Sequence, residues 1–348
     1  MQEIKAGLCA YGMSGKLFHA PFLNAHPGFS LNAVVERHKH EAADKYPDIR
    51  HFRSVEDMIH DPEVDLVIVN TPVQTHAEFA EMALQAGKHV IVEKPFTVNA
   101  QQAEDLVELA AKKKLFLSVY QNRRFDRDYL QVKKMIDSGK LGKIREAEIR
   151  FDRFRTQPSH KQHKEDPQLP GSGALHDLGS HLIDQAIQLF GMPTRVFGDT
   201  FSMKGAAFAN DYFEIILFYA DGLRVRIISS AFAKEAAWAY AVHGDQGSFL
   251  QQRSDHQEAE LAAGAVPTGK DWQQPLTETD GLLHYSTSDT YRTALYSIPG
   301  NYMDYYQAIY HHLIFDEAAP SPGHEIINNM KIIDAVLRSS ASGMVITL

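Results

Sequence analysis

The first third of the chain alternates between two hydrophobic periods. Short apolar runs rich in β-branched residues predict strands, and the stretches between them carry apolar residues at helical spacing. Because parallel strands need crossover connections, this repetition predicts a parallel sheet covered by helices on both faces. The predicted strands are 4–10, 30–36, 64–70, 88–94 and 115–121.

Two of the intervening helices have recognisable starts. Ser54 precedes Asp57 by three residues and Thr75 precedes Glu78 by three, which is the spacing of a capping box. In such a start the Ser or Thr side chain accepts a hydrogen bond from a backbone amide of the first turn. We therefore expect both side chains to cap their helices.

The hydrophobic pattern changes after about residue 122. Two strand-like runs within 211–232 are joined by an Ala-Asp-Gly turn, a hairpin signal that requires antiparallel neighbours. Residues 251–291 are polar, show no clear period and are expected to run over the surface. Amphipathic helices are predicted at about 302–315 and 324–341.

These patterns predict an α/β fold in two domains, since 348 residues exceed what one core ordinarily supports. Residues 1–121 are expected to form a domain with a doubly wound parallel sheet. Residues 122–348 are expected to form an α+β domain with a large, mostly antiparallel open sheet. Such a sheet has a face to cover, which predicts a homodimer or homotetramer assembled through it.

Composition narrows the range of partners. The chain has 44 acidic and 35 basic residues, so its net charge of −9 repels polyanions and no nucleic-acid partner is expected. Cys9 is the single cysteine, which excludes an intramolecular disulfide and is consistent with a reducing compartment. Neither a secretion signal nor an apolar run of about 18 residues occurs, so a cytoplasmic protein without a membrane partner is expected.

The segment A-Y-G-M-S-G at 10–15 lies between a predicted strand and a helix, where backbone amides and the helix dipole can bind a pyrophosphate. Gly12 would allow the phosphate to approach, and Gly15 would allow the helix to pack closely on the sheet. Ala10 stands where the usual motif has glycine, which is tolerable if its φ is negative. By itself the motif is weak, and an incidental glycine turn is the alternative.

The end of the second predicted strand bears on the choice of dinucleotide. An acidic residue is expected there to bind the hydroxyls of the adenosine ribose, and Glu36 occupies the position. Glu36 favours NAD, whereas Arg37, which could meet a 2′-phosphate, keeps NADP open. A surface Glu-Arg pair that closes the strand is the alternative interpretation.

A lysine follows another predicted strand, within Glu93-Lys94-Pro95. This is the carboxyl edge of the sheet, where ligands of such folds bind. A lysine beside a nicotinamide can polarise a substrate oxygen or relay its proton. An ordinary surface lysine at a strand end is the alternative.

The segment 171–191 carries a candidate acid–base pair. If the chain is helical from about residue 175, Asp177 and His181 share a face, and an imidazole beside a carboxylate can take a proton from an alcohol as hydride leaves it. A helix with one solvated ion pair is the alternative. His176 and Asp184 extend the group, but no further ligands complete a metal site, so no metal is expected.

Two arginine-rich stretches, 122–128 and 151–155, could donate hydrogen bonds to substrate hydroxyls or carboxylates. The candidates are Arg124, Arg153 and Arg155. Salt bridges between domains explain these arginines about as well.

The chain resembles the Gfo/Idh/MocA family, the group of glucose-fructose oxidoreductase and inositol dehydrogenase. The resemblance rests on four motifs in order: GMSGKLFHAP, NTPVQTHAEFAEMALQAGKHVIVEKP, NRRFD and GALHDLGSHLIDQAIQLFGMP. It runs to about residue 200 and continues more loosely at 240–249. Within the family, the chain looks closest to the branch that contains scyllo-inositol dehydrogenases.

The resemblance implies that residues 1–121 form an NAD(P)-binding Rossmann domain and that residues 122–348 form an α+β domain for substrate binding and oligomerisation. It also implies NAD or NADP as the cofactor and a polyol or sugar substrate such as an inositol. The family's EKP lysine falls on Lys94, and its Asp-x-x-x-His pair falls on Asp177 and His181; together they form its catalytic set. The expected cofactor contacts are Gly12, Met13, Ser14, Gly15, Glu36, Arg37, Thr71, Pro72, His76, Glu93, Lys94 and Asn122. The expected substrate contacts are Lys94, Arg124, Arg153, Arg155, His176, Asp177 and His181.

Two other functions remain open at this point. A non-catalytic dinucleotide-binding sensor could use the same fold, because fold does not determine function. A hydrolase or epimerase that recycles its NAD through a transient ketone could use the same residues. The complete acid–base set disfavours the sensor, since a sensor needs no proton relay.

Overall fold

The computed structural model describes residues 3–159, 162–269, 272–286 and 290–348, without the side chains of residues 162 and 163. The chain divides into two compact units. The first unit comprises Met1–Asn122, His256–Gln274 and Asn301–Ile327. The second unit comprises Arg123–Asp255, Pro275–Gly300 and Asn328–Leu348.

The first unit contains a six-stranded parallel sheet. Its strands are β1 Ile4–Leu8, β2 Phe29–Val35, β3 Arg50–Phe52, β4 Leu66–Val69, β5 His89–Val92 and β6 Leu117–Val119. The spatial order is β3-β2-β1-β4-β5-β6, which is the doubly wound order of dinucleotide-binding sheets. The predicted parallel α/β sheet is confirmed, with the three-residue β3 as an additional edge strand that hydrophobic pattern did not indicate.

The second unit contains a nine-stranded sheet in the order β14-β13-β12-β11-β7-β10-β9-β8-β15. Its strands are β7 Ile144–Arg150, β8 Arg195–Phe201, β9 Tyr212–Phe218, β10 Arg224–Ser230, β11 Tyr240–Gly244, β12 Gly247–Gln251, β13 Gly281–Ser286, β14 Thr290–Leu295 and β15 Ile346–Thr347. β7 and β10 pair in parallel and the other pairs are antiparallel. The predicted large, mostly antiparallel sheet and its β9–β10 hairpin are confirmed.

The prediction that residues 251–291 run irregularly over the surface was wrong where this stretch forms regular elements; residues 270–271 and 287–289 lie outside the described part of the chain. That stretch includes a short helix and β13, and the following β14 pairs with β13 at the edge of the sheet. Most of β14 is exposed, so its sequence lacks the apolar alternation by which a strand with one buried face is recognised.

Ten α-helices lie in the described part of the chain. They are α1 Ala20–Ala25, α2 Val55–Ile59, α3 His76–Gln85, α4 Ala100–Lys113, α5 Arg127–Asp137, α6 Gln162–Glu165, α7 Ser180–Phe190, α8 Gln257–Ala262, α9 Met303–Phe315 and α10 Gly323–Ser342. The two closing helices match their predicted ranges. Single π-helical turns precede α1 at Gly15–His19 and α7 at Leu175–Gly179.

One predicted helix cap forms and the other does not. The Ser54 side chain accepts a hydrogen bond from the amide of Asp57 at 3.0 Å, as expected. Thr75 makes no such bond to α3. Because a 3₁₀ turn at Val73–Thr75 leads into that helix, the Thr75 hydroxyl points backwards and donates to the Pro72 carbonyl at 2.9 Å.

Candidate active site

The loop after β1 is held by a side chain from the end of β4. Asn70 accepts a hydrogen bond from the Ala10 amide at 2.9 Å and donates one to the Ala10 carbonyl at 2.8 Å. Ala10 does not have a positive φ, so its Cβ carries no steric penalty of the left-handed conformation. The condition under which alanine can replace the usual glycine is therefore met.

Gly15 allows a close approach that no other residue would permit. A Cβ at this position would lie 2.5 Å from the Ala10 carbonyl oxygen and 3.0 Å from Nδ2 of Asn70. Gly12 differs, because it is exposed and a Cβ there would meet nothing within 4 Å. Met13 beside it is also exposed. One side of the loop is thus packed and the other is open, which fits an incoming pyrophosphate.

Glu93 lies buried behind this loop. Its carboxylate accepts a hydrogen bond from the Ser14 hydroxyl, and its other oxygen accepts one from the Lys94 amide at 3.0 Å. Burial alone would raise the pKa of Glu93, but the hydrogen bonds from His19 and Ser14 and the charge of Lys94 outweigh it and lower the pKa to about 2. The carboxylate is therefore ionised at neutral pH.

The end of β2 presents two different groups. Glu36 is buried, and its two oxygens accept hydrogen bonds from the amides of Glu41 and Ala42, both at 3.1 Å. Arg37 is exposed and has no acidic side chain within 4 Å among the described residues. The carboxylate thus braces its own loop, while the guanidinium is open to solvent.

The loops after β4 and β5 are connected by His76. Its ring nitrogens lie 2.9 Å from the carbonyl oxygens of Thr71 and Pro95, and burial lowers the pKa of the ring. Because its two ring nitrogens face carbonyls of the two loops, His76 holds the loops together. Pro72 follows Thr71 and precedes the 3₁₀ turn that leads into α3.

Two further predicted cofactor residues follow strands of the same sheet. Lys94 comes directly after Glu93 at the end of β5, is partly exposed, and precedes a cis peptide bond to Pro95. Asn122 follows β6 and is buried. The first unit therefore places its predicted residues after β1, β2, β4, β5 and β6, along the carboxyl edge of the parallel sheet.

In the second unit, Asn210 caps the start of the segment that carries Asp177 and His181. Asn210 accepts hydrogen bonds from the amides of Ala174 through its carbonyl, at 2.7 Å, and of Leu175 through its side chain, at 2.9 Å. Gly173 has φ of +88°, and a Cβ there would lie 2.5 Å from the Asn210 side chain. The glycine-rich sequence before the helix is thus required for the cap.

The predicted acid–base residues differ in exposure. His181 is buried, whereas the Asp177 side chain is 25% exposed. Lys164 donates a hydrogen bond to Asp177 at 2.7 Å, and the guanidinium of Arg153 lies 3.8 Å from its other oxygen. Lys164 was missed in the sequence, because it belongs to no motif and lies 13 residues before its partner.

The other predicted substrate residues have distinct surroundings. Arg124 forms a two-pronged ion pair with Asp184, at 2.7 and 2.8 Å, and both side chains are largely buried. Arg155 is exposed, and its backbone amide donates to the Ala231 carbonyl at 2.8 Å. His176 is buried in the π-helical turn. Contact of these residues with a substrate stays a prediction.

Two structural features are absent from the described residues. Among them, no helix is both long and apolar enough to cross a membrane. Within the same set, no three His, Cys, Asp or Glu side chains are grouped so as to hold a metal ion.

Two domains of one protein family together match almost the whole chain. Residues 4–121 match the NAD-binding Rossmann fold of an oxidoreductase family, and residues 133–348 match the C-terminal alpha/beta domain of the same family. The two matches correspond to the parallel sheet with its helices and to the nine-stranded sheet.

Individual relatives align over nearly their full length. The chain is 34% identical over 349 residues to scyllo-inositol 2-dehydrogenase (NADP(+)) IolW of Bacillus subtilis, covering 100% of this chain and 97% of that protein. It is 36% identical over 339 residues to the oxidoreductase YdgJ of Escherichia coli, covering 97% and 96%.

Solved structures agree in fold. An oxidoreductase from Bacteroides fragilis is 41% identical and superposes with a TM-score of 0.90, covering 100% of both chains. The oxidoreductase yvaA from Bacillus subtilis is 34% identical and superposes with a TM-score of 0.95, covering 100% of this chain and 99% of that one.

Proposed function

The chain belongs to the Gfo/Idh/MocA oxidoreductase family, and on that premise we propose that it transfers a hydride between its cofactor and a hydroxyl of a sugar or cyclitol. It is an NAD(P)-dependent dehydrogenase with an NAD-binding Rossmann domain. The observation that carries the inositol-like substrate is the 34% identity over the whole chain to scyllo-inositol 2-dehydrogenase (NADP(+)) IolW.

The proposed roles follow from the chemistry of the side chains. The His181 imidazole takes the proton of the reacting hydroxyl, and Asp177 orients that imidazole. The Lys94 ammonium donates a hydrogen bond to the reacting oxygen as its negative charge develops. A bound nicotinamide would supply the hydride acceptor for the carbinol carbon. The substrate leaves as a ketone, because it has lost a hydride from the carbinol carbon and a proton from the hydroxyl, together two electrons and two protons.

Recognition of the dinucleotide is proposed at the open side of the loop. The backbone amides near Ser14 and Gly15 would hold the pyrophosphate, since Gly12 leaves that side unobstructed. At the end of β2, the buried Glu36 is already hydrogen-bonded to its own loop, while the exposed Arg37 could meet a 2′-phosphate. Both cofactors therefore belong in every assay.

An oligomer through the nine-stranded sheet is also proposed. Its strand β8 carries Phe201, whose residue surface is 61% exposed, which is unusual for a large aromatic side chain on a sheet. A second copy of the chain would cover such a face. Light scattering is expected to give the mass of a dimer or tetramer, and a monomeric mass would contradict the proposal.

The catalytic roles are tested by two substitutions assayed with a panel of polyols, with NAD and NADP in parallel. His181→Ala and Lys94→Ala are each expected to lower kcat by about 100-fold or more, because proton transfer and charge stabilisation are lost. Dinucleotide affinity should change by no more than a few-fold, measured by titration of the intrinsic fluorescence.

The matched controls are His243→Ala on β11 and Lys113→Ala at the exposed end of α4, which should keep the turnover of the unmodified chain. Undiminished turnover in His181→Ala or Lys94→Ala would refute the assigned roles. A chain that binds dinucleotide but oxidises no polyol with either cofactor would favour the sensor.

A further inference from the structure

Glu93 joins the segment from Ser14 to His19 to the end of β5 through one buried carboxylate. One oxygen accepts hydrogen bonds from the Ser14 hydroxyl of the glycine loop and from Nε2 of His19, which is 3.1 Å away. The other oxygen accepts the backbone amide of Lys94 at 3.0 Å. The loop, the π-helical turn behind it and the end of β5 thus share one hydrogen-bonding centre.

His19 is fixed at its other ring nitrogen as well. Nδ1 lies 2.8 Å from the hydroxyl of Tyr306, which in turn lies 2.6 Å from the Phe18 carbonyl oxygen. The ring is fully buried and lies 4.6 Å from the ring of Tyr120. Because an ionised carboxylate can only accept, Nε2 must carry the proton in its contact with Glu93. The imidazole therefore has one orientation available to it.

We propose that His19 is a positioning residue of the dinucleotide site, which acts through Glu93 to hold the Ser14 loop and the Lys94 backbone in one arrangement. The grip of the loop on the dinucleotide and the position of the lysine then depend on the same buried imidazole. This inference rests on the proposed function, since it assigns Lys94 a role in the reaction.

The energetic argument starts from the cost of burying a charge. A buried carboxylate is stable only when hydrogen bonds replace its lost water, and here three donors do so. Without the imidazole, Glu93 loses its one buried ring donor and has two ways to recover: it takes up a proton, or it turns toward water. Either response alters the bonds to Ser14 and to the Lys94 amide, so both ends of the link move together.

A simple packing role is the competing explanation, and His26 provides the matched control. His26 is also buried in the first unit, with Nε2 3.0 Å from the Gln307 side-chain oxygen and Nδ1 accepting the Gly28 amide at 3.0 Å. Its ring packs 5.0 Å from that of Phe29. It makes no hydrogen bond to Glu93 among its contacts, so its loss removes a buried imidazole without removing the link.

The experiment compares His19→Phe, His19→Gln and His26→Phe in the full chain. For each variant we would measure the Kd of the reduced dinucleotide by fluorescence without substrate, kcat at saturating dinucleotide, and Tm. His19→Phe is expected to raise Kd about tenfold and to lower kcat about tenfold, because it removes one hydrogen bond to a charged group. His19→Gln should recover most of both, because its amide can donate to Glu93. His26→Phe should lower Tm and leave Kd and kcat unchanged.

Ser14→Ala keeps the test decisive if His19→Phe does not fold. It removes the hydrogen bond between the loop and Glu93 and leaves the core intact. It is expected to raise Kd and also to lower kcat at saturating dinucleotide, each about threefold. A change in Kd alone, or a His19→Phe variant that behaves like His26→Phe, would overturn the proposal. An unmodified chain that binds no dinucleotide would overturn the proposed function and this inference together, and that measurement is made first.

Discussion

The glycine loop of the first unit and the Asp177 site of the second are both polar, yet they are built differently. Around the loop, the Asn70 side chain is buried and bonded to the backbone of Ala10, and the Glu93 side chain is buried and bonded to the side chains of Ser14 and His19. Asp177 is 25% exposed and pairs with Lys164, which is 39% exposed. Buried networks are rigid and costly to disturb, whereas partly exposed ion pairs contribute little and adapt. We therefore expect the loop to tolerate little change and the Asp177 site to be adjustable.

Gly15→Ala tests the rigidity of the glycine loop, and we expect it to have the largest effect. The new Cβ would lie 2.5 Å from the Ala10 carbonyl oxygen, a backbone atom that Asn70 holds in place. The loop must move, so dinucleotide affinity is expected to fall by about 100-fold, which corresponds to roughly 3 kcal/mol. Fluorescence titration with reduced dinucleotide measures it.

Gly12→Ala is the control for the added methyl group, because a Cβ there meets nothing within 4 Å. Its Tm should equal that of the unmodified chain, while Gly15→Ala should melt earlier. Wild-type affinity in Gly15→Ala would contradict the close packing seen at this loop.

Glu93→Gln should show how much the buried charge contributes to stability. The pKa of Glu93 is about 2 in the folded chain against 4.5 for an ordinary glutamate, because its hydrogen bonds and the nearby charges outweigh burial. Its stabilisation is therefore fully present above pH 4.5 and is lost as the pH falls toward 2. The shift corresponds to at most about 3 kcal/mol. In urea unfolding, the difference in free energy between the two chains should be largest at pH 7 and shrink below pH 4.5. A difference that does not change with pH would count against an ionised Glu93.

Lys164→Met should have the smallest effect, because it removes one partner from the partly exposed ion pair at Asp177. Asp177 would keep the Arg153 guanidinium, which is 3.8 Å away, and kcat/KM is expected to fall about fivefold with dinucleotide Kd unchanged. Lys164→Arg retains the charge and should recover most of the loss. A fall in kcat/KM of about 100-fold, as large as the loss of dinucleotide affinity expected for Gly15→Ala, would mean that the Asp177 site is as rigid as the glycine loop.

The sequence predicted the parallel sheet and one hairpin of the nine-stranded sheet, but not the edge strands β3 and β14. The strands of the parallel sheet and the β9–β10 hairpin carry apolar patterns that burial imposes, and these predictions are confirmed. β3 and β14 lie at sheet edges, where β3 is only three residues long and β14 is mostly exposed. Neither has a buried face long enough to leave a periodic signal. The cap predicted at Thr75 was wrong because the preceding 3₁₀ turn redirects its hydroxyl.

The residues that connect the site were harder to find than those that carry chemistry. Lys94, Asp177 and His181 stand out as residue types suited to proton transfer, and their roles stay predictions. Asn70 lies 60 residues from its partner Ala10, and Glu93 lies 74 residues from His19. Such contacts leave no local spacing, so one sequence contains no signal for them.

By itself, the sequence determined the class of fold, the alternation of strands and helices in the first third of the chain, and the residue types available for redox chemistry, because all three follow from local patterns of burial and charge. Only the tertiary structure decided that Asn70 clamps Ala10, that Glu36 is engaged with its own loop, and that His19 reaches Glu93. These depend on which distant segments the sheet brings together. The physical reason is that hydrogen bonds act over about 3 Å in space, whatever the separation along the chain.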